Sequence, residues 1–395
     1  MCVCITRMEL RSSEEETVRL YVVVIDDPQT RKLSSKKKKG QRRPTTDDTK
    51  TTTNASKLTQ THIHALMPSQ HKNNHNGKNS SVVESRLALI HRIQTYLTQK
   101  FQVYSGTDSD GNEYESIEEF WKSQGFLDDN DDDDDDDRIQ WYKASHRYWE
   151  HESNAPATID GMLGGFSVLS ERDLIASEKF LKTVLTQKPL LYEKIKDPQI
   201  ATRACECGAG IGRVTKGLLL KTPLAGMDAC DLVEPSSRLL LAAPTYLGDD
   251  YANKCRFLCQ GLQEFVPSTT NTGTTKYDIV WIQWVIAYLT DWDLVGFLIR
   301  MKEALTEDGI IIIKDNTCND LAFMSDRDDS DITRSYQYLR AIIQESGLRV
   351  VTAGKNNKEE EHAQKKKTRK ELVQWQDDFP SDIWPVPMIA LERSD

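Results

Sequence analysis

The stretch Glu206-Cys207-Gly208-Ala209-Gly210-Ile211-Gly212-Arg213 constrains the fold of this chain more than any other feature. It joins an apolar segment at 201–207 to a helical stretch, and its glycines allow a sharp turn and close approach to a neighbour where a Cβ would intrude. That neighbour is either a bound ligand or the packed helix itself. From about residue 202 strand and helix patterns alternate, as a parallel sheet covered on both faces requires. Strands are expected near 201–207, 229–234, 255–260, 277–283, 310–315, 349–353 and 387–391. Ile310-Ile311-Ile312-Ile313 is β-branched without alternation, which suits a strand buried on both faces.

The first third of the chain reads differently. Over 34–81 it is rich in Lys, Thr, Asn, Ser and Gln with almost no periodic apolar residues, so disorder is expected there. Leu87, Ile90, Ile93 and Leu97 recur at helical spacing, predicting a helix over 82–102 that either packs on the domain or is marginal alone. The aspartate run 131–137 is a solvated, self-repelling tract. The expected division is therefore a largely disordered, low-complexity extension at 1–138 and a folded domain at 139–395, with a polar insert at about 354–372. The domain opens on Trp141, Tyr142, Tyr148 and Trp149, and Ser170 with Asp173 resembles a helix start.

The net charge of −10 argues against a nucleic-acid binder, which needs clustered cations, and suits a cationic substrate. Eight cysteines form no C-x-x-C pair and have no histidine at ligand spacing, so no metal site is expected, and Cys205, Cys207, Cys230 and Cys259 read as reduced core residues. No apolar stretch is long enough to span a membrane and no secretory layout opens the chain. A soluble monomer of the cytoplasm and nucleus is expected. The basic run at 36–43 is either a nuclear import signal or an ordinary feature of a polar tail.

Glu234 ends the second strand about twenty residues beyond the glycines, where a carboxylate can accept two ribose hydroxyls. Arg213 would lie near an amino-acid carboxylate. Glycines at this spacing are commoner in methyltransferases than in dinucleotide dehydrogenases.

Over 141–391 the chain resembles the α-N-terminal protein methyltransferases. The supporting stretches are Tyr148-Trp149, Asp160-Gly161-Met162-Leu163-Gly164-Gly165-Phe166, the glycine loop with Arg213-Val214-Thr215-Lys216, and Gly261-Leu262-Gln263-Glu264-Phe265. Further on come Trp281-Ile282-Gln283-Trp284-Val285-Ile286, Leu289-Thr290-Asp291 and Ile313-Lys314-Asp315-Asn316. The resemblance implies a Rossmann-like class I S-adenosylmethionine-dependent methyltransferase: an α/β fold with a seven-stranded, mostly parallel sheet, helices on both faces and an N-terminal helical addition. It also implies that S-adenosyl-L-methionine is the cofactor and that the substrates are protein N-termini beginning X-Pro-Lys or X-Pro-Arg. Carried over by position, Trp149, Gly208, Gly210, Arg213, Glu234, Leu262, Gln263 and Gln283 hold the cofactor. Leu163, Gly164, Trp284, Asp326 and Trp384 line the peptide channel, while Asn316, Asp329 and Tyr288 are the catalytic set. Trp281, on the opposite side of its strand from Trp284, reads as core.

Two departures from the family pattern stand out. The acidic segment Ser325-Asp326-Arg327-Asp328-Asp329-Ser330-Asp331 carries one extra residue, so Asp328 rivals Asp329. The family usually has His before Leu-Thr-Asp, and this chain has Tyr288, a phenol that cannot readily accept a proton at neutral pH. Alternatives are a methyltransferase acting on another amine and a non-catalytic scaffold that keeps the cofactor fold.

Overall fold

The isoleucine run lies in an interior strand of one sheet. Ile310 to Ile313 are fully buried within strand Leu305–Lys314, which pairs in parallel with Tyr277–Gln283 and antiparallel with Pro387–Arg393. A computed structural model of the chain describes residues 2–11, 17–26, 79–127, 134–221, 226–270, 273–353, 370–381 and 383–394. Most of the tract read as disordered, including the basic run at 36–43, and most of the insert at 354–372 lie outside the described residues.

All seven expected strands form. From one edge the order is Leu348–Val350, Pro387–Arg393, Leu305–Lys314, Tyr277–Gln283, Arg203–Cys207, Ala229–Val233 and Cys255–Cys259. The five strands from Leu305–Lys314 to Cys255–Cys259 are mutually parallel. The sheet is nevertheless ten-stranded among the described residues, not seven-stranded. Cys2–Arg11 pairs antiparallel with Cys255–Cys259 and with Thr17–Asp26, and Val373–Trp375 lies on the first half of Pro387–Arg393. Because Leu348–Val350 occupies the second half of that same strand, the polar insert interrupts one edge of the sheet. Helices cover both faces, with two buried clusters on opposite sides of the strands.

The boundary expected at 139 does not divide the molecule. Helix Asn79–Phe101 buries Ile90, Ile93 and Leu97 completely against the helices Asp291–Ala304 and Tyr336–Glu345, so its apolar face is part of the core. Helix Ile117–Ser123 starts on Ser116, whose Oγ accepts the Glu119 N–H at 3.0 Å while Glu119 accepts the Glu115 N–H at 2.7 Å. That cap delivers Trp121 into the interior, where its indole N–H donates to Asp291 at 2.7 Å. Gly106–Asp108 adds in parallel to Phe323–Asp326, making a second small sheet with Asp331–Arg334 and Glu113–Tyr114. An aromatic-rich helix, Asp134–Glu150, then crosses the carboxyl ends of the parallel strands. It is fixed by the Trp141 indole on the Tyr288 carbonyl and the Tyr142 hydroxyl on Asp293.

Candidate active site

Strand order reverses between Arg203–Cys207 and Tyr277–Gln283, the place where open α/β sheets bind ligands. A cavity of about 510 Å³ opens there, within the range of small-molecule sites. Its floor is the glycine turn. Gly208 and Gly210 have φ of +68° and +52°, a region costly to other residues, and a Cβ at Gly210 would meet the Met162 Sδ at 2.5 Å. Two buried carboxylates hold the turn. Glu206 accepts the Thr215 N–H at 2.7 Å, and Glu234 accepts the N–H groups of Gly210 at 2.9 Å and Ser236 at 2.8 Å. Burial pushes both up to about 7. Glu234 thus organises the glycines as well as facing the cavity, and its oxygens retain lone pairs for further donors.

Arg213 is set by a residue read from the sequence as a helix-start signal. Asp173 does not cap helix Ser170–Gln187; its fully buried carboxylate instead binds Arg213 at 2.7 Å, Lys314 at 2.5 Å and the Gln283 amide at 3.0 Å. Those cations, against the upward push of burial, hold Asp173 below its ordinary pKa. A carboxylate this deep needs such partners, and they come from a distant helix and two strands. The guanidinium leans over the Trp284 ring at 5.4 Å, and its Nη1 is buried without a partner among the described residues. An unmatched guanidinium nitrogen in a cavity wall suits a carboxylate ligand.

Of the expected cofactor residues, the structure brings Trp149, Gly208, Gly210, Arg213, Glu234, Leu262, Gln263 and Gln283 to this one cavity. Trp149 sits at the end of helix Asp134–Glu150. Arg238 fixes that end by donating to the carbonyls of Glu150 and Trp149, both at 2.9 Å, while Ser236 and Ser237 donate to the Glu150 carboxylate. Nothing in the sequence singled out Arg238 or Glu150, because their partners are only spatial neighbours.

The catalytic set is partly assembled. Tyr288 lines the cavity edge-on to Trp149, at 6.1 Å between ring centroids, and donates to Asp329 at 3.1 Å. Burial, then the charge of Asp329, pushes the phenol well above its ordinary pKa, so Tyr288 is a donor only. Burial pushes Asp329 up to about 6, the Tyr288 bond pulling against the neighbouring charges of Asp326 and Asp328. Its Oδ1 is buried with no partner among the described residues. Asp328 is exposed, which distinguishes the two rivals. Burial likewise pushes Asp331 up to about 7.

Asn316 does not line the main cavity but a small adjoining recess with Asp315 and Arg334. Asp315 accepts the N–H groups of Val285 and Ile286 at 2.8 and 3.0 Å, fixing the backbone that carries Trp284, whose φ is +52°. Of the expected channel residues, Trp284 reaches the cavity; Leu163 and Gly164 follow Met162, which lines it. Trp384 and Asp326 are exposed and lie outside the cavity wall. Trp384 is nonetheless beside Asn316 in the backbone sense, because the Thr317 N–H donates to the Pro385 carbonyl at 2.9 Å. Trp281 is fully buried, as its core reading expects.

The arrangement can hold a ligand that combines a nucleoside, a carboxylate and a reactive end directed towards Trp149 and Tyr288. Comparison with known proteins agrees. The sequence model of the AdoMet-dependent proline di-methyltransferases matches residues 137–392. The chain is 38 % identical over 252 residues to N-terminal Xaa-Pro-Lys N-methyltransferase 1-B of Xenopus laevis, covering 64 % of this chain and 95 % of that protein. Alpha N-terminal protein methyltransferase 1 of Dictyostelium discoideum is 35 % identical over 289 residues, 73 % of this chain and 91 % of its own. A solved SAM-dependent methyltransferase of Leishmania major superposes with a TM-score of 0.54 at 30 % identity, over 73 % of this chain and 96 % of that one. Since the matched region contains the five parallel strands, their switch point and every wall of the cavity, the chain belongs to the AdoMet-dependent proline di-methyltransferase family and is an S-adenosylmethionine-dependent protein N-terminal methyltransferase.

Proposed function

We propose that this enzyme methylates the α-amino group of protein N-termini of the form X-Pro-Lys or X-Pro-Arg, with Asp329 as proton acceptor. The observation that carries the reading is the Tyr288–Asp329 pair: a carboxylate with one oxygen bonded to a cavity-lining phenol and the other buried and unpartnered. When bound, S-adenosylmethionine supplies a methyl group on a sulfonium, which accepts a nitrogen lone pair. Arg213 and Glu234 suit its carboxylate and ribose, with Trp149, Leu262, Gln263 and Gln283 around the remainder.

The nitrogen must be neutral to attack. An α-amino group titrates near 7.7 to 8.0, so roughly a tenth is neutral at pH 7, whereas a lysine at about 10.4 is almost wholly charged. Removing the α-ammonium proton therefore costs only about 1 kcal/mol at neutral pH. Asp329 Oδ1 takes that proton, Tyr288 keeps its own and holds Oδ2, and Asn316 orients the amine. Trp284, Leu163, Gly164 and Trp384 flank the first two residues of the peptide. Asp326 and its acidic neighbours attract the cation of the third residue through charge-assisted bonds. Action as a single chain in the cytoplasm and nucleus belongs to the same reading.

Steady-state kinetics on Ala-Pro-Lys and Ala-Pro-Glu peptides test the reading. The Glu peptide should lose at least ~100-fold in kcat/KM, mostly through KM, since one attraction becomes a repulsion. Equal turnover of both would contradict it.

A further inference from the structure

Strand Gly106–Asp108 precedes the family match at 137–392, yet it pairs in parallel with Phe323, Met324 and Ser325 of the strand that leads into the acidic loop. The Ala322 N–H donates to the Ser105 carbonyl at 2.8 Å; Gly106, Thr107 and Asp108 pair with Phe323, Met324 and Ser325; and the Ser109 N–H donates to the Ser325 carbonyl at 2.9 Å. Gly106 is needed for this approach, because a Cβ there would meet the Phe323 ring at 2.4 Å. The strand ends on a charge arrangement. Asp108, with its side chain fully buried, accepts from the Asn112 backbone and amide, the Asp110 N–H and the Tyr114 hydroxyl, so its position is fixed. Its remaining partner is Arg327, the one cation within 325–331, at 3.3 Å; Arg327 also meets Asp110 at 3.2 Å.

We propose that Asp108 is a specificity-determining positioning residue: by holding the Arg327 guanidinium on the outer side of the loop, it keeps that cation off Asp326, Asp328, Asp329 and Asp331 and leaves their charge for the third residue of the peptide. This rests on the substrate reading given above. The Arg327 side chain is 43 % exposed and flexible, and four carboxylates lie within four residues of it, so without Asp108 it becomes an internal competitor for the peptide Lys. Strong hydrogen bonding keeps the Asp108 carboxyl well below its usual range despite burial, so the restraint persists at every pH at which the enzyme works.

The test is calorimetric binding of Ala-Pro-Lys and Ala-Pro-Gln peptides to the full chain saturated with S-adenosylhomocysteine, at low salt. Asp108→Asn should raise the Kd of the Lys peptide about tenfold and that of the Gln peptide less than about twofold. Arg327→Gln should leave Lys-peptide binding unchanged or tighter. The double variant Asp108→Asn/Arg327→Gln should recover it, which a merely structural role of Asp108 would not produce. Equal weakening of both peptides without recovery in the double variant overturns the proposal, as does weaker Lys-peptide binding in Arg327→Gln. A wild-type enzyme that binds both peptides equally overturns the substrate reading first, and this assignment with it.

Discussion

The sequence reads Tyr288 as one departure from the family pattern, and its surroundings give that reading a physical meaning. A phenol raised further by burial cannot serve as base, but its hydroxyl stabilises the ionised form of Asp329. Replacing it with Phe removes that bond while keeping the ring against Trp149. The Asp329 pKa, about 6 with the bond in place, then rises, because burial and the neighbouring aspartates are no longer opposed. Activity that needs ionised Asp329 should accordingly lose its acid limb earlier. For Tyr288→Phe the limb of kcat/KM should move up by about half to one pH unit, with the rate above pH 8.5 little changed. A pH–rate profile of both enzymes checks this, and a limb that stays in place would exclude Asp329 as the acceptor. The sequence showed the substitution and the acidic segment. It left Asp328 as a rival to Asp329, because identical side chains two and three residues past the strand differ only in burial, which depends on the turn.

At the scale of elements, the parallel strands were readable because both their faces are covered and their apolar runs have no alternation. Asp173 was not readable, since Arg213, Lys314 and Gln283 reach it from far along the chain, and a Ser followed by an Asp looks like a helix start whatever the Asp binds. The packing of the N-terminal helix was left open for a related reason. Helix Asn79–Phe101 would be marginal alone, yet its neighbours in the fold bury its apolar face, and Phe120, Trp121 and Phe126 close over Trp141 and Trp292 in tilted and edge-to-face contacts. Each such buried side chain contributes about 1.5–3 kcal/mol. A chain beginning at Arg138 should therefore melt on the order of 10 °C or more below one beginning at residue 79. Thermal melts followed by circular dichroism decide it; equal midpoints would mean that segment 79–127 does not belong to the core.

For the molecule as a whole, sheet order and chemistry are linked. The reversal of strand order opens the cofactor cavity, the helix Asp134–Glu150 covers it, and the hairpin of Phe323–Asp326 and Asp331–Arg334 brings an acidic loop to the Tyr288 side of its mouth. The net charge of −10, read from the sequence as favouring a cationic partner, is here concentrated in part where the peptide is proposed to enter. The central claim is that the methyl group goes to the α-nitrogen and to no side chain. Tandem mass spectrometry of the product from the full chain, S-adenosylmethionine and an Ala-Pro-Lys peptide with a second, internal lysine tests it most directly. The account predicts every added methyl on the N-terminal alanine nitrogen, and none on the same peptide with its N-terminus acetylated. Methyl groups on either lysine, or methylation of the acetylated peptide, would contradict it.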